Sequence, residues 1–244
     1  MRGGAARRTT RLYLDDPYLR EFDAEVTEST EGWCALSQTA FHPGGGGQPH
    51  DRGRLTARGS DVPVSAVRED EEGRIWHQVG LDLAVRDLVC GAIDWPFRYL
   101  LMRHHALMHI VNTVAWRQFG GLITGVQIGA DRSRIDFRLD DFGRERLGEF
   151  ESHVNTAIDR GLPISSSIIS EDEYRGRPDL VRTANVLPPV VDGRVRIVTV
   201  AGFDAQACGG THVHSTTEIG RAHITKFDNK GRENKRFYWE VATP

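Results

Sequence analysis

Cysteine is scarce in this chain: Cys34, Cys90 and Cys208 are all that 244 residues contain. So small and odd a number excludes a disulfide framework, points to a reducing compartment, and leaves Cys208 free to act as a thiolate ligand. Lysine is scarcer than it first looks, because Lys226, Lys230 and Lys235 all fall within the last nineteen residues. A formal net charge of -3 gives no overall nucleic-acid signature, so any cationic surface has to be local. Long apolar runs are missing as well. No stretch approaches the ~20 residues of a membrane helix, and the basic leader MRGGAARRTTR is not followed by an apolar segment of signal-peptide length. The expected location is therefore the cytoplasm.

What is present suggests two domains. Residues 1–93 read as a small β-barrel domain, with the boundary marked by Asp94-Trp95-Pro96. Its segments are a helix after Leu12 carrying Tyr18, Leu19 and Phe22 inward, then strands over 25–30, 33–41, 62–67, 74–79 and 87–93. Residues 94–244 read as an α+β domain, a long helix packed on an antiparallel sheet. Leu100, Leu101, Leu107, Met108, Ile110, Val111, Val114 and Ala115 recur at helical spacing over 97–119. Strands follow in 126–139, an amphipathic helix in 142–160, an edge strand at 164–170, a buried strand at 194–200, and the last strands at 219–225 and 237–242.

Two local features carry chemistry. The first is His42-Pro43-Gly44-Gly45-Gly46-Gly47-Gln48-Pro49-His50. Four glycines in succession suit positive φ angles or the close approach of a ligand to backbone amides, and the bracketing prolines stiffen what would otherwise be a flexible hairpin loop. No Gly-Lys-Ser/Thr follows, which excludes a Walker loop.

The second is a pair of metal-ligand spacings. His105 and His109 stand at i, i+4 on the long helix, and Cys208 and His212 stand at the same spacing in AQACGGTHVH, with Gly209 and Gly210 between them. Imidazoles and a thiolate suit tetrahedral zinc. The absence of a glutamate beside His105 excludes the HEXXH protease pattern. Four protein ligands would ordinarily close a structural site, whereas a catalytic ion keeps one position open, and spacing leaves both in view.

FHPGGGGQPHDRG, GAIDWPFR, MRHHALMH, RVRIVTVAGFDAQACGGTHV and KGRENKRFYW, in that order, resemble the editing domain of alanyl-tRNA synthetases and the free-standing alanyl-tRNA editing proteins of medium length. The resemblance runs from about Leu12 to Trp239. It implies a zinc-dependent aminoacyl-tRNA deacylase acting in trans on tRNA(Ala) mischarged with serine, or glycine. Zinc would be held by His105, His109, Cys208 and His212. The amino-acid pocket would be shaped by Gly45, Gly46, Gly47 and Gln48, with Thr39 meeting the serine hydroxyl.

On this reading Gln48 and glycine amides are oxyanion donors, and Thr39 is the specificity residue. A buried hydroxyl partner left unpaired penalises alanine more than an apolar pocket could. Arg103, Lys226, Lys230, Arg232, Lys235 and Arg236 are the cations expected to meet tRNA phosphates. The chain is expected to be a monomer. Two alternatives stand beside this: a deacylase for another mischarged tRNA, and a non-catalytic RNA-binding module with structural zinc.

Overall fold

The computed structural model describes residues 8–180, 190–231 and 234–242. Two compact units emerge: the chain up to Gly45 together with Pro49–Tyr99, and Gly46–Gln48 together with the chain from Leu100 onward.

The first unit contains β1 (Thr10–Arg11), α1 (Leu12–Asp15), β2 (Glu21–Thr30), β3 (Trp33–Leu36), β4 (Gln38–Thr39), β5 (Gly53–Ala57), β6 (Ser60–Val64), β7 (Ala66–Glu69), β8 (Ile75–Gln78), β9 (Leu88–Ile93) and the first turn of α2 (Trp95–Phe119). Seven strands form an antiparallel sheet in the order β6-β5-β9-β2-β3-β8-β7. The long β2 pairs with β9 through its first half and with β3 through its second, and a register shift between Val26 and Glu28 bends it. One residue, Ser65, joins β6 at one edge to β7 at the other, so the sheet must curl. Among the described residues those edges pair only with β5 and β8. The expected barrel is thus a half-barrel.

The helix expected to carry Phe22 is replaced by β2, where Glu21, Asp23 and Glu25 are exposed while Phe22, Ala24 and Val26 are buried. That period of two is a strand facing a core. The strand expected over 33–41 breaks at Ser37, whose hydroxyl accepts from Glu25 N–H at 3.1 Å, and β4 turns away to pair in parallel with β1. Phe22, Val26, Leu36, Phe41, Leu55 and Ile75 fill the core. Beside it lies a buried ion pair. Arg98 donates to both carboxylate oxygens of Asp51 and, from Nη1, to the Pro17 carbonyl at 3.0 Å.

The second unit adds β10 (Leu122–Gln127), β11 (Ser133–Arg138), α3 (Leu147–Asp159), β12 (Ile164–Ser170), α4 (Glu171–Arg175), β13 (Arg194–Val200), β14 (Asp204–Ala207), β15 (Ala222–Asn229) and β16 (Lys235–Val241) to the remainder of α2. Its strands form two antiparallel sheets, β10-β11-β16-β15 and β12-β13-β14. The α+β class is as expected. Phe150 of α3 meets Phe237 and Trp239 of β16 edge-on at 5.2 and 5.5 Å, the favourable geometry for aromatic quadrupoles. Asn155 locks the same helix to the sheet, its amide exchanging two hydrogen bonds with the backbone of Ala222.

In α2 every residue from Leu101 to Ala115 is buried. A helix hidden all round must satisfy its polar side chains internally, and Arg103, His104, His105, His109, Asn112 and Thr113 all lie in that stretch. Their partners define the site. No helix among the described residues is long and apolar enough to cross a membrane.

Candidate metal centre

One turn of α2 separates His105 from His109, and the loop after β14 brings Cys208 and His212 to the same place. One ligand atom from each of the four lies within 4.8 Å of every other. The Cys208 sulfur is 3.4 Å from His105 Nε2 and 3.2 Å from His212 Nε2. A tetrahedral zinc with ordinary bond lengths would separate nitrogen and sulfur by about 3.6 Å, close to the 3.2 and 3.4 Å here. The donor set fits the ion the sequence suggested.

Electrostatics favour the ligating forms. Burial opposes ionisation of Cys208, but the neighbouring His105 and His212 outweigh it and hold the thiol well below its ordinary value. Burial also holds His212 well below its ordinary value, in the neutral form a metal requires. His109 differs: burial pulls it down, but contacts with Asp204 and Cys208 push it up to about 9. A metal arriving near neutral pH must displace that proton.

Gln48 is placed differently from the expectation of an oxyanion donor. Its Oε1 accepts from Thr211 N–H at 3.1 Å and lies 2.7 Å from His105 Nδ1, while its Nε2 donates to the Thr211 hydroxyl at 2.9 Å. A backbone N–H can only donate, which fixes the oxygen end of the carboxamide toward Thr211 and His105. His105 Nδ1 therefore carries a proton, and Nε2 is the nitrogen that faces the sulfur. Gln48 is 3% exposed and fixes the His105 ring.

The neighbouring glycines explain themselves. Gly44, Gly45, Gly46 and Gly47 all have positive φ, at 89°, 123°, 59° and 86°. A side chain on Gly47 would also come within 2.8 Å of the Val126 carbonyl oxygen, but around Gly45 and Gly46 nothing lies within 4 Å of where one would sit. In the second motif, Gly210 is required by proximity: a Cβ there would stand 2.2 Å from His105 Cε1 and 2.7 Å from Gln48 Oε1. Arg196 of β13 braces this loop, donating to the carbonyls of Cys208 and Gly210 at 3.0 and 2.9 Å.

Thr39 belongs to the first unit, where it is fully buried. Its hydroxyl is 2.9 Å from His77 Nε2 and accepts from Phe41 N–H at 3.1 Å. His77 Nδ1 faces the Cys34 carbonyl at 3.3 Å, so it carries the proton, and Thr39 must be the donor to Nε2. One lone pair of Thr39 remains.

The expected phosphate clasp is corrected at Arg103, Lys235 and Arg236, whereas Lys226 and Lys230 are exposed. Arg103 is 2% exposed and donates to the carbonyls of Glu218, Ile219 and Ala242, tying α2 to the end of the chain. Lys235 is buried against Asn229 and the Gly231 carbonyl, and Arg236 holds both oxygens of Asp136 at 2.7 and 2.8 Å. Lys226 pairs with Asp228 at 3.0 Å. Lys230 is exposed, and Arg232 lies outside the described residues. Side chains in one register cannot all face solvent, and charge counting along the chain does not see the register.

Sequence reading passed over Asp204, Gln206, Thr211 and Arg196. A signal was available: in Asp204-Ala205-Gln206-Ala207 the polar residues alternate with alanines, and both polar residues are buried.

Two family models match the chain: threonyl and alanyl tRNA synthetase second additional domain over residues 195–238, and tRNA synthetases class II (A) over residues 13–97. The chain is 37% identical to an alanyl-tRNA editing protein AlaX-M of Saccharolobus solfataricus, covering 96% of this chain and 99% of the relative. It is 36% identical to the protein of that name from Methanosarcina mazei, covering 96% of each. An alanine–tRNA ligase of Korarchaeum cryptofilum is 37% identical over 88% of this chain and 24% of its own length.

Proposed function

The chain belongs to the alanyl-tRNA editing proteins of the AlaX-M type, and from that premise we propose that it is a zinc-dependent hydrolase acting in trans on mischarged tRNA(Ala). The substrate is tRNA(Ala) esterified with serine, and glycine is the second acyl group to test. The observation that carries this reading is the buried convergence of His105, His109, Cys208 and His212, in a chain similar from end to end to editing proteins.

When bound, zinc supplies Lewis-acid polarisation of an ester or activation of a water. The chain's own residues do the rest. Gln48 and Thr211 fix the face that His105 presents, and Arg196 holds the loop that carries Cys208. With Gln48 committed to Thr211 and His105, the glycine amides keep the oxyanion role, and the open space where side chains on Gly45 and Gly46 would sit leaves room for an acyl group. Thr39, with its O–H given to His77, offers a serine hydroxyl an acceptor only, and alanine has nothing to donate to it. Lys226 and Lys230 are exposed cations available to tRNA phosphates, and Arg232 keeps the role that its place in the same cationic cluster gives it.

A second reading is favoured by the ligand count. Four protein donors already fill a tetrahedral set, as in structural zinc, which suits a tRNA-binding module without catalysis. Incubating Ser-tRNA(Ala) with zinc-loaded protein, chelated protein and Cys208→Ala separates the two. Loss of the seryl ester with zinc-loaded protein alone supports the hydrolase. Retained tRNA binding without ester loss supports the module.

A further inference from the structure

Asp204 faces the metal centre from behind one of its ligands. Its side chain is completely buried, and Oδ2 lies 3.8 Å from His109 Nδ1, beyond hydrogen-bond length but within ion-pair range. His109 also has a ring nitrogen within 4.8 Å of the Cys208 sulfur. One ring cannot present the same nitrogen to both, so Nδ1 is turned to Asp204 and Nε2 to the cluster. The carboxylate therefore lies across the imidazole from the ligand atoms. It is absent from the set of four.

The sequence places it there by strand geometry. In β14, Asp204 and Gln206 share a face, and the next residue on that alternation is Cys208. That face meets α2. Gln206 Nε2 donates to Asp204 Oδ2 at 2.5 Å, and Asn112 Nδ2, one turn beyond His109, donates to Gln206 Oε1 at 3.0 Å. Gln206 and Asn112 are neutral, and through them α2 holds the carboxylate in position.

A divalent ion bound by one thiolate and three neutral imidazoles carries one net positive charge in a buried place. A fixed carboxylate next to a ligand imidazole offsets that charge and holds the ring in the ligating tautomer.

We propose that Asp204 is a positioning residue of the metal centre, offsetting the ion's charge and orienting His109 as Gln48 orients His105. This rests on the reading of the four-residue cluster as a metal site.

The test is zinc affinity, measured by chelator competition on wild-type protein and Asp204→Asn, with cobalt(II) absorption as a second readout. Wild type binding one zinc establishes the metal site by itself. Asp204→Asn is then expected to bind 10- to 100-fold more weakly and to shift the cobalt ligand-field bands, with apo circular dichroism unchanged. Affinity and bands equal to wild type would overturn the assignment. Should Asp204→Asn not fold, Gln206→Met decides, because it leaves the carboxylate in place but removes its closest donor: weakened zinc binding supports the proposal, and unchanged binding overturns it. A wild-type protein that binds no zinc contradicts the metal reading itself.

Discussion

Gln48 Oε1 stands 2.7 Å from His105 Nδ1, joining the two motifs that chemistry singles out in the sequence. The glycine-rich segment thus reaches the candidate metal centre through a hydrogen bond to His105. Replacing Gln48 with leucine keeps the bulk and removes the acceptor, leaving His105 Nδ1–H and Thr211 N–H without a partner. Zinc affinity is expected to fall about 10- to 100-fold. An unchanged affinity, read by chelator competition, would show that the ring is fixed by other contacts.

Gly210→Ala tests the close approach on the other side of His105. The added methyl would occupy a position 2.2 Å from His105 Cε1, so the ring or the loop must move. Zinc stoichiometry below that of wild type is expected, together with a lower melting temperature of the holo protein. Gly45→Ala, which meets no atom within 4 Å but sits at φ 123°, should retain zinc and lose only backbone fit. Equal zinc loading by wild type and Gly210→Ala would refute the crowding argument.

His77 predicts a pH dependence of stability. Burial lowers its pKa from the ordinary 6.5 to about 4, so the folded chain keeps it neutral while the unfolded chain takes up a proton below 6.5. Its contribution is fully present above pH 6.5 and is lost as pH falls toward 4. The sum is of order 3 kcal/mol across that window. Denaturant unfolding of wild type and His77→Gln between pH 7 and pH 4 should show a shallower loss in the variant. Parallel curves would exclude His77 as the source.

The buried pair of Arg98 and Asp51 should be costly to break from one side. Asp51→Asn leaves the guanidinium without its counter-charge, at a cost of about 3 to 5 kcal/mol. Changing both partners together, Arg98→Met with Asp51→Leu, should cost less than the single change. A single variant as stable as wild type would mean that water or another group replaces the carboxylate.

Some of this architecture could be read from residue order, and the reasons are specific. His105 and His109 share a helix face at i, i+4, and Cys208 and His212 repeat that spacing; neither pair is decisive alone, and it is the two together that single out the four residues. Gln48 was visible as a residue but its role was not, since only the fold shows that its acceptor meets His105. The helix expected around Phe22 failed because Tyr18, Leu19 and Phe22 also fit helical spacing, while the alternation of Glu21, Asp23 and Glu25 with apolar neighbours was the better guide. The small β-barrel was met only as a half-barrel because sheet closure depends on which edges pair, and short alternating segments do not record it. Arg103 and Lys235 misled because burial of a cation against carbonyls leaves no mark in composition.

The most direct measurement is the rate of ester loss from Ser-tRNA(Ala) and from Ala-tRNA(Ala), side by side, with zinc-loaded wild-type protein and Thr39→Val at matched salt. The account predicts that wild type removes serine and spares alanine, and that Thr39→Val loses most of the difference between them. Equal hydrolysis of both esters by wild type, or of neither, would contradict it.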